Sequence, residues 1–183
     1  MKDIETQKQL KNVFTLPKWE EIPAMDFYMD QLLSLINPCF SEVYGEKQVL
    51  TSTMVNNYVK INLIPAPVHR RYSRDTVAQL FVIVTLKPLF NVQEISQLIK
   101  TIIHEYSVAD TYNRYAEILM HAVNSAYSGE VSRNTSEDEY IRLMEDVAIA
   151  AAYQLVVKYR LRLRKSHLSA ENDNRKILTK GKK

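Results

Sequence analysis

Residues 56–80 read NNYVKINLIPAPVHRRYSRDTVAQL, and the fold turns on how this stretch is read. A polar run from Asn56 to Lys60 stops at Asn62. Two prolines follow at 65 and 67, then Arg70, Arg71 and Arg74 crowd around Tyr72 before a helical pattern resumes. Asn tolerates the left-handed conformation that closes a helix, and the prolines forbid its continuation. Ser73 suits an N-cap, with Asp75 complementing the positive helix start.

Helical signals extend outward on both sides. Upstream, Met54, Val55, Tyr58 and Val59 recur at helical spacing behind a Thr51-Ser52 cap. Before them, a helix is expected from Asp26, with Phe27, Leu32, Leu35 and Ile36 as its apolar stripe, closed by Pro38 or shortly after, and Tyr44-Gly45 is a turn signal. Downstream, the helix from Ser73 buries Val77, Leu80, Phe81, Val84 and Leu86 and stops at Pro88. Asn91 with Glu94 is spaced as a capping box, Ser107 with Asp110 opens a helix over Ala109 to about Tyr127, and Ser136 with Glu139 opens a long last one through Tyr159. Trp19, between Pro17 and Pro23, pins an extended segment. Met1 to about Thr15 is expected to be weakly ordered, SGEVSRNTSE to form an internal loop, and the polar, lysine-rich tail after His167 to be disordered.

Composition narrows the class. Three glycines in 183 residues leave little material for tight β-turns or phosphate-cradling loops, which argues for a mostly helical fold and against P-loop or Rossmann enzymes. The single Cys39 excludes an internal disulfide and a cysteine-pair zinc site, and suits a buried packing role in a reducing cytoplasm. There is no apolar run of membrane-spanning length and no signal-peptide pattern. Charge is unevenly placed: from Lys158 to Lys183, ten Lys and Arg face only Glu171 and Asp173, whereas the rest of the chain is acidic. Inside that acidic remainder, Tyr58 to Arg74 holds Lys60, Arg70, Arg71 and Arg74 and no acid. Such an island is a minimal electrostatic footprint for nucleic acid.

A polar helix, an exit through prolines, a short basic hairpin and a further helix together make the layout of a winged helix-turn-helix. A polar helix can enter the major groove while arginines on the wing hold phosphates. The groove-facing candidates are Ser52, Thr53, Asn56, Asn57 and Lys60, since Asn can bridge an adenine edge and Ser or Thr can contact base or backbone. Arg70, Arg71 and Arg74 would hold the backbone, and Tyr58 and Tyr72 would either join them or line the core rim.

Tyr58-Val-Lys60-Ile-Asn62-Leu-Ile-Pro65 resembles the end of the recognition helix in MerR-type regulators, and HRRYSRDTVAQL from His69 resembles their wing-to-helix segment. Leu86 to Ile99 is similar to the following helix pair. The whole chain, including LPKWEEIPAMDFYMDQL, is similar to an uncharacterised bacterial domain-of-unknown-function family with a MerR-like core. The resemblance implies that Arg70 is the phosphate-binding wing arginine, Tyr72 the wing tyrosine and Tyr58 the second tyrosine of the recognition-helix pair. Asn56 stands where that pattern has a backbone-binding arginine, Asn57 where it has a tyrosine and Asn62 where it has a glycine.

The expectation is therefore an all-α fold with a small β-wing. Residues 1–105 would form the winged helix-turn-helix and 106–183 a helical region for dimerisation or effector response. Double-stranded DNA is the expected partner, in transcription regulation, with a homodimer paired through the strip Ala148, Ala151 and Ala152, unless that strip packs within the chain. The rival is a helical interaction module that keeps the scaffold without reading DNA. No cofactor, metal or enzymatic constellation is expected: His104-Glu105 begins a zinc-protease pattern, but Val108 stands where its second His belongs, and Glu117 with His121 lacks a third ligand.

Overall fold

The computed structural model describes residues 14–103, 106–130 and 136–180. Its helices are α1 (Met29–Tyr44), α2 (Ser52–Lys60), α3 (Arg74–Leu86), α4 (Val92–Ile103), α5 (Val108–Ser128) and α6 (Glu139–Lys180), preceded by a 3₁₀ turn at Trp19–Glu21. The fold is mostly helical. Among the described residues extended pairing is confined to two isolated antiparallel bridges, Phe27 with Tyr72 and Val68 with Arg71.

Local chemistry sets most boundaries as the sequence implies. Thr51, Ser73 and Ser107 each accept a hydrogen bond from a backbone N–H three residues on, capping α2, α3 and α5. Asn91 and Glu94 close a reciprocal box at the start of α4, at 3.0 and 2.8 Å. Gly45 and Gly129 end α1 and α5 in the left-handed region.

Several expectations are corrected. Helix α1 starts at Met29 rather than Asp26, because Phe27 is held extended against Tyr72 by two 2.8 Å backbone hydrogen bonds. It also runs through Pro38 to Tyr44. A proline inside a helix costs about 3 kcal/mol. Beyond it Phe40 and Val43 are fully buried, and each contributes roughly 1.5–3 kcal/mol, so continuing the helix wins. Asp138, not Ser136, caps α6, its carboxylate accepting from the N–H groups of Tyr140 and Ile141. The same helix continues to Lys180, through the tail expected to lack order. That stretch holds no Gly or Pro and places Glu171 four residues before Arg175, a spacing that supports helix. Phe14, assigned to a weakly ordered segment, is buried in the core. His104, Glu105, the centre of the SGEVSRNTSE loop and the first thirteen residues lie outside the described residues.

One hydrophobic cluster runs from Phe14 to Tyr159. Phe14, Phe40, Phe81 and Tyr112 stack in sequence through it, with centroids 5.5–6.2 Å apart, joining α1, α3 and α5. Helices α5 and α6 form the most extensive pair. Tyr106 reaches Asp138 before their first turns, and Tyr127 stacks on Tyr159 far along both, so the two run parallel. Ala148, Ala151 and Ala152 of α6 are fully buried. The small-residue strip is thus packed within the chain. The basic run at 158–165 is partly used internally: Arg160 donates to the Tyr127 carbonyl, and Arg162 pairs with Glu42 at 2.9 Å beside Gly45. No helix among the described residues is long and apolar enough to cross a membrane.

Candidate nucleic-acid interface

Helix α2 is short and two-faced. Val55 and Tyr58 are buried, whereas Ser52, Thr53, Asn56, Asn57 and Lys60 are all exposed. Their spacing puts these five polar side chains on one face. The start of the helix is set by a residue with no functional look in the sequence. Asn37 of α1 accepts from the N–H groups of Val49 and Leu50, both at 2.8 Å, and donates to the Leu50 carbonyl at 3.0 Å. Lys87, from the end of α3, donates to the Val49 carbonyl, and partial burial lowers its pKa. The loop before Thr51 is therefore clamped from two sides.

The helix ends in a Schellman motif. Leu63 N–H donates to the Tyr58 carbonyl at 2.8 Å and Asn62 N–H to Val59 at 3.0 Å, with Asn62 left-handed at φ 55°. Leu63 and Ile64 then anchor in the core, and the chain leaves through Pro65 and Pro67. Val68 and Arg71 exchange both backbone hydrogen bonds, at 3.0 and 2.9 Å, around His69 (φ 48°) and Arg70 (φ 65°). Two positive φ angles inside a two-residue loop mark a type I′ turn, which favours Asn-Gly. Here His and Arg occupy it, both exposed.

The three arginines differ. Arg70, at the turn, makes no hydrogen bond or ion pair among the described residues. Arg71 lies 4.7 Å from the Tyr28 ring centroid and donates to its hydroxyl at 2.9 Å. Arg74 stacks on Trp19 at 4.2 Å and donates to the Pro23 carbonyl at 3.4 Å. Trp19 is itself fixed: its indole N–H donates to Asp75 at 2.9 Å, and its backbone N–H donates to Asn113 at 2.7 Å. The segment 17–28 therefore positions two of the arginines. Trp19 was legible as a pinning aromatic, but Tyr28, Pro23 and Asn37 gave no local signal.

Tyr58 and Tyr72 are buried, and burial raises the pKa of both hydroxyls. Both rings serve the core. Among the described residues no group of three His, Cys, Asp or Glu could hold a metal ion. Cys39 is half-buried, donates to the Leu35 carbonyl at 3.5 Å, and burial pushes its thiol pKa up.

A family model described as a domain of unknown function (DUF1836) matches residues 17–118, more than half of the chain. The span takes in the 17–28 segment, α1 to α4 and the first half of α5. No curated protein and no solved structure matches. The chain belongs to the DUF1836 family.

Proposed function

For this member of the DUF1836 family we propose sequence-specific binding of duplex DNA, in transcription regulation, by a winged helix-turn-helix akin to the MerR type. Helix α2 would enter the major groove, and the His69–Arg70 turn would be the wing. The observation that carries the reading is the exposed polar face of α2, followed directly by a tight turn that presents the exposed Arg70. Arg71 and Arg74, stacked on Tyr28 and Trp19, support it, because stacking leaves guanidinium edges ready for phosphate at reduced entropic cost. Tyr58 and Tyr72 contribute scaffold rather than contacts.

Pairing of two copies would let two half-sites be read, which counters the genome's excess of non-specific sites, and would use a surface other than the buried alanine strip. Phosphate contacts from Lys60, Arg70, Arg71 and Arg74 would give a salt slope of roughly −3.6 per copy, at about −0.9 each. Arg70→Ala should weaken binding on every sequence and flatten that slope. Asn56→Ala should instead relax base preference, at about 1–3 kcal/mol. A filter-binding titration on random and selected duplexes separates the two effects. Asn56 in the place of an arginine favours the second reading, a protein-interaction module on the same scaffold. Absence of duplex binding at low salt would select it.

A further inference from the structure

Helix α6 is 42 residues long, about 63 Å at 1.5 Å per residue. Its inner side, from Met144 through Ala148, Ala151 and Leu155 to Tyr159, is buried in the bundle. The opposite side carries an exposed stripe of Asp146, Ala150, Tyr153, Val157, Leu161 and Arg164, continued by Leu168. Steps of three or four residues set these side chains on one face. Val157 and Leu161, a turn apart, are 50% and 60% exposed, and Tyr153, a turn before them, is 41% exposed. Single exposed apolar residues are ordinary, but a run of them along one helix face marks a contact surface.

The charge along α6 says what fits that surface. Segment 137–146 holds Glu137, Asp138, Glu139, Glu145 and Asp146 against Arg142 alone, whereas 158–165 holds Lys158, Arg160, Arg162, Arg164 and Lys165 and no acid. Asp146 and Arg164 carry this contrast onto the stripe, on either side of its apolar middle. Both lie beyond the terminal turns of α6, where the helix dipole would account for them. The two are equidistant from Leu155, as are Tyr153 and Val157. A second copy laid antiparallel, with the twofold axis beside Leu155, therefore sets Asp146 against the partner's Arg164 and Tyr153 against the partner's Val157, each twice. Parallel copies would oppose like charges instead. The face is complementary to itself, as an isologous contact requires.

We propose that the outer face of α6 is a homodimer interface, in which two copies pair antiparallel through Tyr153, Val157 and Leu161. The pairing stands without the DNA reading, and it is tested without DNA, by sedimentation of the full chain across micromolar concentrations. The parent should be a dimer. Val157→Glu sets a charge against the partner's Tyr153 ring and should raise the dissociation constant about tenfold or more, with circular dichroism unchanged. Asp146→Arg and Arg164→Asp, both at exposed positions, should each weaken the dimer about fivefold, and the double variant should restore it. A monomeric parent would overturn the proposal, as would a dimer that Val157→Glu leaves intact. A double variant no tighter than either single one would overturn the antiparallel arrangement.

Discussion

In the helical bundle, positive φ occurs at Gly45 and Gly129, where a missing side chain makes it cheap. Between Asn62 and Arg70 it occurs at Asn62, His69 and Arg70, which are all three of the non-glycine residues with positive φ among the described residues. Helix α6 packs into the bundle with Ala148, Ala151 and Ala152 fully buried. The turn, by contrast, exposes His69 and Arg70, and next to them Val68 at 70% exposure. One region follows the rules of stability. The other departs from them, at a cost on the order of 1–3 kcal/mol for each residue held in a sparsely populated region. The difference shows where the chain gives up stability: in the nine residues that link α2 to the arginines.

The comparison can be broken from either side. The largest expected effect is in the bundle. Ala151→Glu would bury an unpaired carboxylate where no space exists, and should destabilise by on the order of 4 kcal/mol or more in urea unfolding. An unchanged midpoint would mean that the packing of α6 into the bundle is not what the fold rests on.

Next is the clamp between the two regions. Asn37→Ala leaves the N–H groups of Val49 and Leu50 without their buried acceptor, at about 1–3 kcal/mol for each unmet group. The expected loss is therefore larger than for truncating any exposed residue of α2. If Asn37→Ala and Asn57→Ala were equally mild, the clamp would be idle.

Alkaline pH gives a third effect, largest in the bundle but shared by Tyr58 and Tyr72, whose pKa values burial also raises. Burial pushes the Tyr44 pKa up to about 12, and it raises those of Tyr112 and Tyr115 further. The folded-state values lie above the unfolded value near 10, so this stability is fully present below about pH 10 and is lost as pH rises through the folded values. Each titrating tyrosine contributes a slope of about −1.4 kcal/mol per pH unit in that window. Lys87, with its lowered pKa, acts in the opposite sense, adding stability as pH rises towards 10. Unfolding followed between pH 9 and 12 should therefore steepen above 10, and Tyr115→Phe should reduce the slope.

Sequence reading found what local chemistry determines. The caps at Thr51, Ser73, Ser107 and Asn91 are each settled within three or four residues, and Asn62 needs only its own αL tolerance. Pro38 misled because the burial that outweighs it comes from Phe40 and Val43, whose partners lie elsewhere in the chain. The alanine strip was visible as a small-residue face, but nothing in its spacing says which helix covers it. The exposed face of α2 was legible because alternation with buried Val55 and Tyr58 follows from periodicity. That Arg71 rests on Tyr28 and Arg74 on Trp19 was not, since those contacts join residues 43 and 55 positions apart and leave no periodic trace.

The smallest effect on stability tests the central claim most directly. Replacing His69-Arg70 by the pair His69→Asn and Arg70→Gly supplies the residues that a type I′ turn prefers. Thermal unfolding of this variant should show a gain of about 0.5–1 kcal/mol, the relieved strain less the added unfolded-state freedom of glycine. Its binding to random duplex DNA, titrated against salt in parallel, should weaken, with a slope shallower by about 0.9 per copy for the lost phosphate contact. A more stable protein that binds DNA less well is the result the account predicts. A variant that binds as tightly as the parent, with the same salt slope, would contradict it.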